Sequence, residues 1–162
     1  MANYDLDTIR HSSAHLMAQA INRLWPEANV QFGVGPVIDT GFYYDVEMEH
    51  RLTEDDLKNI EAEMKKIIKE KLPIERKVMK RDEAVDFFDN MGQTLKVELI
   101  KDIPADEEIS CYQQGEFIDL CRGPHVENTR ELPPSFKLLH VAGAYWRGDE
   151  KRQMLQRVYA AS

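Results

Sequence analysis

The stretch that decides the fold reads Val30-Gln31-Phe32-Gly33-Val34-Gly35-Pro36-Val37-Ile38, then Asp39-Thr40-Gly41, then Phe42-Tyr43-Tyr44-Asp45-Val46. The outer two runs are rich in β-branched and aromatic residues, and the middle run is a turn sequence, so we predict two strands joined by a turn. The glycines mark places where the backbone approaches a neighbour closely or takes a positive φ. Because successive strand side chains alternate, one of Tyr43 and Tyr44 should be in the core and the other at solvent or a pocket.

Amphipathic helices are predicted on both sides of these strands. The first is capped by the Asp at position 5 or 7 and ends before Pro26, since a proline inside a helix loses a hydrogen bond and clashes. The second begins at Thr53, with Asp56 three residues later as an approximate capping box, and ends before Pro73. The strands therefore lie between two helices.

The rest of the chain alternates short elements of both kinds. We predict a strand over 74–80, helices over 81–90 and 94–101, a hairpin over 109–120, a strand over 137–146 and a helix from Gly148 onward. Helices interspersed with hairpins predict an α+β fold with a mainly antiparallel sheet.

The composition describes a globular protein of one domain. Its 162 residues are 43% apolar and 31% charged, which argues against a disordered chain. No apolar run approaches ~18 residues, so a transmembrane helix is excluded, and the first residues lack the basic and apolar regions of a signal peptide. We therefore expect a cytoplasmic location, with Cys111 and Cys121 reduced.

The charge is acidic and unevenly distributed. The formal net charge is −8, divided as −5 over 1–50, −4 over 51–110 and +1 over 111–162. An acidic total argues against a broad basic face for nucleic acid. Any polyanionic partner should approach the C-terminal third.

Two short motifs carry chemistry. His11 and His15 are spaced i and i+4 in the first helix, which places them on one face. Later, Cys121 and His125 are separated by Arg-Gly-Pro, a turn sequence that can direct both side chains the same way. Together the motifs supply four groups able to bind a tetrahedral metal.

Three interpretations of the four groups remain open from spacing alone: a bound zinc, a metal-free polar cleft that orients water or substrate, or chance. A zinc peptidase needs a Glu beside the first His, where this chain has Ser12. A Cys-His protease has no matching local signature.

Other polar residues are candidates for the same site. Asp119 lies two residues before Cys121, so on a strand both share a face. Lys96 stands alone among apolar residues, and a lysine directed into a cleft would have functional meaning. Arg122 is a candidate phosphate contact.

Four motifs resemble the editing domain of bacterial-type threonyl-tRNA synthetases, in the family's order and from about residue 5 to the end. They are His11 to Ala20, Gly35-Pro36-Val37-Ile38 with Gly41 to Asp45, Asp119 to His125, and Ala144-Tyr145-Trp146-Arg147-Gly148-Asp149. The related alanyl editing domain shares the His and Cys/His pairs, whereas Arg-Gly-Pro inside the second pair is similar to the threonyl branch.

The resemblance implies an α+β editing cleft that hydrolyses the ester of serine wrongly joined to threonine tRNA. A pocket distinguishes one methylene by only ~1–3 kcal/mol, so a second site that admits serine and sterically excludes threonine adds discrimination. The implied partners are the 3′ end of aminoacylated threonine tRNA and the remainder of a synthetase chain, with no membrane.

The resemblance also implies roles for individual residues. Imidazoles would orient water and share proton transfer, Lys96 would stabilise the oxyanion, and Asp119 with Cys121 would hold the serine. The implied catalytic residues are His11, His15, Lys96, Cys121 and His125, and the implied substrate-binding residues are Asp119, Tyr43 and Arg122.

The same resemblance implies the cofactor and the domain layout. The threonyl branch is similar to a zinc site but works without metal, so we expect no cofactor, with zinc on His11, His15, Cys121 and His125 as the alternative. Competing functions are a zinc-dependent alanyl-type module and a noncatalytic tRNA-end binding domain. Residues 1–147 would be the editing domain, and 148–162 the start of a linker helix toward an absent catalytic core.

Overall fold

The computed structural model describes residues 4–162. Over this range the elements are α1 (Leu6–Leu24), β1 (Gln31–Phe32), β2 (Val37–Ile38), β3 (Gly41–Glu47), α2 (Glu54–Lys69), β4 (Ile74–Met79), α3 (Arg81–Asn90), α4 (Thr94–Asp102), β5 (Ile109–Gln114), β6 (Phe117–Leu120), β7 (Lys137–Tyr145) and β8 (Met154–Ala161), with 3₁₀ turns at Thr129–Glu131 and Trp146–Gly148. Four helices and two antiparallel sheets confirm the predicted α+β class.

The larger sheet carries an interrupted edge strand. Its order is β1-β3-β8-β7, and β2 also pairs with β3, at the end opposite to β1. The strand predicted over 30–38 is therefore broken at residues 33–36. Within the break, the carbonyl of Gly33 accepts a hydrogen bond from Lys96. This irregularity is what connects the sheet to the site.

Helix α1 is buried around most of its circumference. It packs against α2 and β3, and its Leu16 and Ile21 share the main core with Phe42 and Tyr44. Such burial of apolar surface is the main source of stability, at about 1.5–3 kcal/mol per large side chain. A helix enclosed in this way holds polar residues inside as well, and His15 is one of them. Within residues 4–162, no helix combines the length and apolar character needed to cross a bilayer.

The smaller sheet supports the second half of the site. Its order is β4-β5-β6, and α3 and α4 cover one face through Phe88 and Ile100. The predicted hairpin is confirmed, with Gly115 at φ +58° in the turn. Cys111 is fully buried in this cluster, as expected for a small hydrophobic residue. Helix α4 also contacts β1, which places Lys96 between the two sheets.

The predicted linker helix over 148–162 is wrong. After the turn at Trp146–Gly148 the chain forms β8, which pairs antiparallel with β3 on one side and β7 on the other. Short apolar spacings such as Leu155 and Val158 fit a helix or a buried strand equally well. The segment forms a strand because the backbone groups of β3 and β7 each need a hydrogen-bonding neighbour, and β8 supplies one to both.

The capping box of α2 is formed as predicted. The Thr53 hydroxyl oxygen accepts from the amide of Asp56 at 3.3 Å, and the Asp56 carboxylate accepts from the amide of Thr53 at 2.8 Å. Both bonds satisfy amides that would otherwise lack partners at the start of the helix.

Thr53→Ala is expected to lower the free energy of unfolding by about 1 kcal/mol, because it removes the capping acceptor. Thr53→Ser keeps the oxygen and is the matched control, expected to stay close to the parent. Urea denaturation of the three proteins measures the difference, and an alanine variant as stable as the serine variant would contradict the assignment.

Candidate active site

Three imidazoles meet at the inner face of α1. His11 and His15 share one face of the helix, as their spacing predicts, and His125 approaches from the loop after β6. The ring centroids of His15 and His125 are 4.5 Å apart, and those of His11 and His125 are 6.3 Å apart. His15 and His125 are buried and His11 is half-buried. The two histidine motifs therefore form one cluster.

The loop from Cys121 to His125 directs both side chains to one point, as its sequence predicts. The Cys121 Sγ lies 3.3 Å from Nε2 of His125 and accepts the amide of Gly123 at 3.3 Å. Gly123 has φ +76°, and a Cβ there would collide with the hydroxyl of Tyr112. Only glycine satisfies both the conformation and the space.

Two residues that sequence reasoning missed hold this loop in place. The ring of Tyr112 stacks on His125 with centroids 4.1 Å apart. The Ser12 hydroxyl donates to the carbonyl of Thr8 at 3.0 Å and accepts the amide of Val126 at 2.9 Å. Ser12 lies inside the His-x3-His motif, but its second partner is 114 positions away, so no local pattern signals the bond.

Lys96 is buried in an ion pair, consistent with the lysine aimed into a cleft. Its side chain is 3% exposed, and its Nζ lies 2.9 Å from Oδ1 of Asp119, which is 2% exposed. Nζ also donates to the carbonyl of Gly33 at 2.5 Å. Burial lowers the pKa of Lys96 to about 7 and raises the pKa of Asp119 well above its usual value. Each group therefore depends on its partner to stay charged.

A cleft of about 220 Å³ opens between α1, α4 and the strand break. Four of the predicted catalytic residues line it, and apolar side chains and the Gly35 backbone complete its walls. The lining residues are His11, His15, Val34, Gly35, Pro36, Tyr44, Lys96, Leu99, Leu120 and Cys121. The structure therefore brings charged, thiol and imidazole groups together around a space suited to a small molecule.

Two predicted pocket residues lie behind its wall. Asp119 is paired with Lys96, and His125 contacts Cys121, so each acts on a residue of the cleft rather than lining it. Asp119 was expected to share a face with Cys121 and to hold the substrate. Its observed partner is instead the lysine ammonium.

Tyr43 and Arg122 are not brought into the cleft. Alternation along β3 places Tyr44 at the cleft, and Tyr43 on the opposite face, where its ring packs on Tyr159. Arg122 has a side chain that is 82% exposed and pairs with Glu107 at 2.5 Å. The prediction that Tyr43 lines the pocket is wrong because the strand register, which the sequence left open between the two tyrosines, selects its neighbour.

Burial sets the protonation of the cluster. Desolvation, reinforced by neighbouring positive groups, lowers the pKa of His15 well below its usual value and that of His125 to about 3. Desolvation also raises the pKa of the Cys121 thiol. At neutral pH the two imidazoles are neutral, whereas the thiol stays protonated. This arrangement argues against a thiolate nucleophile.

Three of the four candidate zinc ligands converge. Ligand atoms of His15, Cys121 and His125 all lie within 4.8 Å of one another, whereas His11 is outside this group. Nitrogen and sulfur donors suit zinc, and three protein ligands would leave one position open. Among the described residues, neither buried Nδ1 of His15 and His125 has a hydrogen-bond partner, although such partners usually orient zinc-bound histidines.

Comparison with known proteins shows which domains this chain is similar to. The family "Threonyl and Alanyl tRNA synthetase second additional domain" matches residues 109–159, which include the Cys121–His125 loop and the β7–β8 pair. Over these residues the chain is similar to this family of synthetase domains.

Several threonine–tRNA ligases are similar to nearly the whole chain. The enzyme of Geobacillus kaustophilus is 59% identical over 157 residues, which are 97% of this chain and 24% of the relative. The enzyme of Carboxydothermus hydrogenoformans is 59% identical over 156 residues, and that of Halalkalibacterium halodurans is 57% identical over 157. The chain thus spans about a quarter of the length of these relatives. These matches confirm the predicted resemblance to the threonyl-tRNA synthetase editing domain.

The buried histidines predict acid sensitivity. Below about pH 6.5 the unfolded chain binds a proton at His125, whereas the folded chain does not until about pH 3, so the free energy of unfolding falls as the pH drops. The loss is at most ~1.4 kcal/mol per pH unit for each such group, and His15 acts in the same direction.

Urea unfolding in chelator between about pH 7 and pH 5 measures this slope. His125→Gln should flatten it, while His140→Gln, at an exposed position on β7, should leave it unchanged. Equal slopes for the parent and His125→Gln would contradict the assignment.

Proposed function

We propose that the cleft hydrolyses the ester of seryl-tRNA formed on threonine tRNA. The observation that carries this proposal is the convergence of His11, His15, Cys121 and Lys96 on one cleft of about 220 Å³. The match of residues 109–159 to a domain of threonyl- and alanyl-tRNA synthetases supports it. The site contains the groups that ester hydrolysis requires: a proton acceptor, a cation for the developing negative charge, and close walls.

Neutral imidazoles supply the proton transfer. The oxygen of a water held by His11 and His15 attacks the ester carbonyl carbon, and His15 takes the proton. The bond from that carbon to the ribose oxygen then breaks, and the proton passes to the ribose oxygen, so the products are serine and a free tRNA end. His125 contributes by holding Cys121, whose protonated thiol is available to donate to the bound serine.

Lys96 stabilises the negative oxygen of the tetrahedral intermediate. An ammonium already fixed in a dry site needs little reorganisation as charge develops, and one such group contributes about 10²–10³-fold in rate. The Asp119 carboxylate holds this ammonium charged and in position, a role we assign in place of contact with substrate. The ring of Tyr44, with its centroid 5.8 Å from Nζ, offers further support to the cation.

Close walls supply the selection against threonine. At the mouth, a Cβ placed on Gly35 would collide with the ring of Tyr44, so backbone and ring already touch. Because the wall is already close-packed, the additional methyl of threonine would force the surrounding residues into a strained arrangement. Serine fits under this proposal, and threonine is excluded.

The acidic charge of the chain is compatible with this task if the cleft captures only the terminal adenosine and its amino acid. The remainder of the synthetase would then hold the tRNA body, in the cytoplasm where aminoacyl-tRNA is used. With a net charge of −8, the chain alone should bind tRNA weakly and with marked salt sensitivity.

The direct test incubates the 162-residue chain with seryl- and threonyl-tRNA at low salt and measures release of the amino acid. We expect release of serine to exceed that of threonine by more than about 200-fold, beyond the ~10–200-fold that one methylene gives by binding alone. Equal rates, or no release of serine, would overturn the proposal. His125→Ala as active as the parent would instead favour a noncatalytic role in binding the tRNA end.

The role of Lys96 has a matched pair of variants on one helix. Lys96→Met keeps the length of the side chain and removes the charge, and it should lower kcat about 100-fold or more. Lys101→Met alters an exposed lysine of α4 and should leave kcat unchanged. Similar rates for the two variants would contradict the oxyanion role.

A zinc-dependent module is the second candidate, favoured by the convergence of His15, Cys121 and His125. When bound, zinc would lower the pKa of a water and polarise the ester carbonyl. Elemental analysis of the purified chain should find less than one tightly held zinc per chain, and activity should persist in chelator. One zinc per chain, with loss of activity in chelator that added zinc restores, would establish the zinc-dependent alternative instead.

A further inference from the structure

The motif Ala144 to Asp149 has a place in the structure that its sequence did not indicate. Its residues end β7 and form the turn of the β7–β8 hairpin. The amide of Trp146 donates to the carbonyl of Gln153 at 2.9 Å and closes the hairpin. Trp146 itself is 2% exposed. A fully buried indole at a hairpin tip needs a neighbour to cover it.

The first neighbour of Trp146 is the backbone of Gly33. A Cβ placed on Gly33 would lie 3.1 Å from Cζ3 of the indole, so the ring packs directly against this backbone. Gly33 is the residue whose carbonyl accepts from Nζ of Lys96. It lies in the strand break, where β1 has ended and β2 has not begun. The amide of Gly33 still donates to the carbonyl of Asp45 in β3 at 2.8 Å, and the indole packs against this bonded segment.

The second neighbour is the helix that carries Lys96. Trp146 shares a buried cluster with Leu95 and Leu155, and Leu99 packs against it from one turn further along α4. Leu95 immediately precedes Lys96, and Leu99 lines the cleft. The indole thus touches both the acceptor of the lysine and the helix from which the lysine extends.

Two ion pairs fasten the same hairpin to the same helix. Arg152 pairs with Glu98 at 2.8 Å and Arg147 pairs with Asp102, both on α4. The hydrogen bond from Arg152 lowers the pKa of Glu98. The side chains of these pairs are partly exposed, so each pair adds little stability. They align the hairpin with α4, while the buried contacts of Trp146 hold the two together.

We propose that the β7–β8 hairpin, through Trp146, fixes the position of Lys96 in the cleft. A lysine side chain has four rotatable bonds, and its ammonium stays in place only while its acceptors do. Asp119 is held by the ladder of β6 and the amide of Gly33 by the carbonyl of Asp45, whereas the indole packs against both the backbone of Gly33 and the start of α4 at Leu95. Trp146 is a positioning residue, and this role rests on the function proposed for Lys96.

The test measures how fast trace acetic anhydride acetylates Lys96 relative to Lys101 in the intact chain, by peptide mass spectrometry. Lys101 is exposed on the same helix and serves as the internal standard. In the parent, Lys96 should react at least about tenfold more slowly than Lys101, because burial limits access to the amine and the carboxylate of Asp119 binds it. Trp146→Leu leaves a cavity beside Gly33 and should raise the ratio about fivefold, and Trp146→Phe about twofold.

Phe88→Leu is the matched control, since Phe88 is equally buried and contacts α4 from its other side through Ile100. It should leave the ratio unchanged. A ratio in both Trp146 variants no greater than in Phe88→Leu would overturn the proposal. If Trp146→Leu does not fold, Trp146→Phe decides alone: a twofold rise supports the proposal and no rise overturns it.

A kinetic readout separates this inference from the proposed function. In seryl-tRNA hydrolysis, Trp146→Phe should lower kcat and leave KM within about twofold, because the indole does not line the cleft. A parent chain that releases no serine would refute the proposed function, while the acetylation ratio would still decide whether Trp146 positions the lysine. Unchanged acetylation in a chain that does release serine would refute only the inference.

Discussion

The structure depends on the burial of one ammonium group. Moving a charge from water to the interior costs several kcal/mol unless partners with good geometry compensate. Lys96 extends from α4, and its partners come from Asp119 in β6 and from the carbonyl of Gly33 in the larger sheet. The two sheets therefore have to meet at α4 for the ion pair to exist. Loss of either partner would leave an unsatisfied charge at the centre of the molecule.

Burial controls the protonation of the groups around this charge. Desolvation is the largest cause that lowers the pKa of His15, followed by the charges of His125 and Lys96, and desolvation also lowers the pKa of His125. These two buried histidines are therefore neutral at neutral pH. Burial likewise keeps the Cys121 thiol protonated. Neutral His15 and charged Lys96 can lie in the same cleft because only Lys96 has a carboxylate partner, Asp119.

Local structure followed from local sequence where short-range signals agree. The end of α1 before Pro26, the capping box at Thr53 and the hairpin at Gly115 each rest on neighbours a few positions apart, and each formed as predicted. The helix expected after Gly148 failed for the opposite reason. Its apolar spacing fits both a helix and a strand. Pairing with β3 and β7, which the local sequence does not reveal, makes it a strand.

The motifs predicted which reactive residue types the site contains, but they did not predict how those residues are arranged. Helix periodicity predicted that His11 and His15 share a face, and the Gly-Pro turn predicted that Cys121 and His125 point the same way, because both signals are local. Lys96 was a candidate because it stands alone among apolar residues, and the roles of all five came from the family resemblance. Strand register decided that Tyr44 faces the cleft and Tyr43 does not. Long-range contacts decided that Asp119 serves the lysine, that Ser12 fastens the loop and that Trp146 lies beneath Gly33.

The sequence by itself determined the elements and the inventory of reactive groups, since propensity, capping and periodicity are properties of neighbouring residues. Only the tertiary structure decided which of those groups share a dry cavity and which carry charge. The physical reason is that desolvation and ion pairing depend on everything that surrounds a group in space, and here the surroundings come from both sheets.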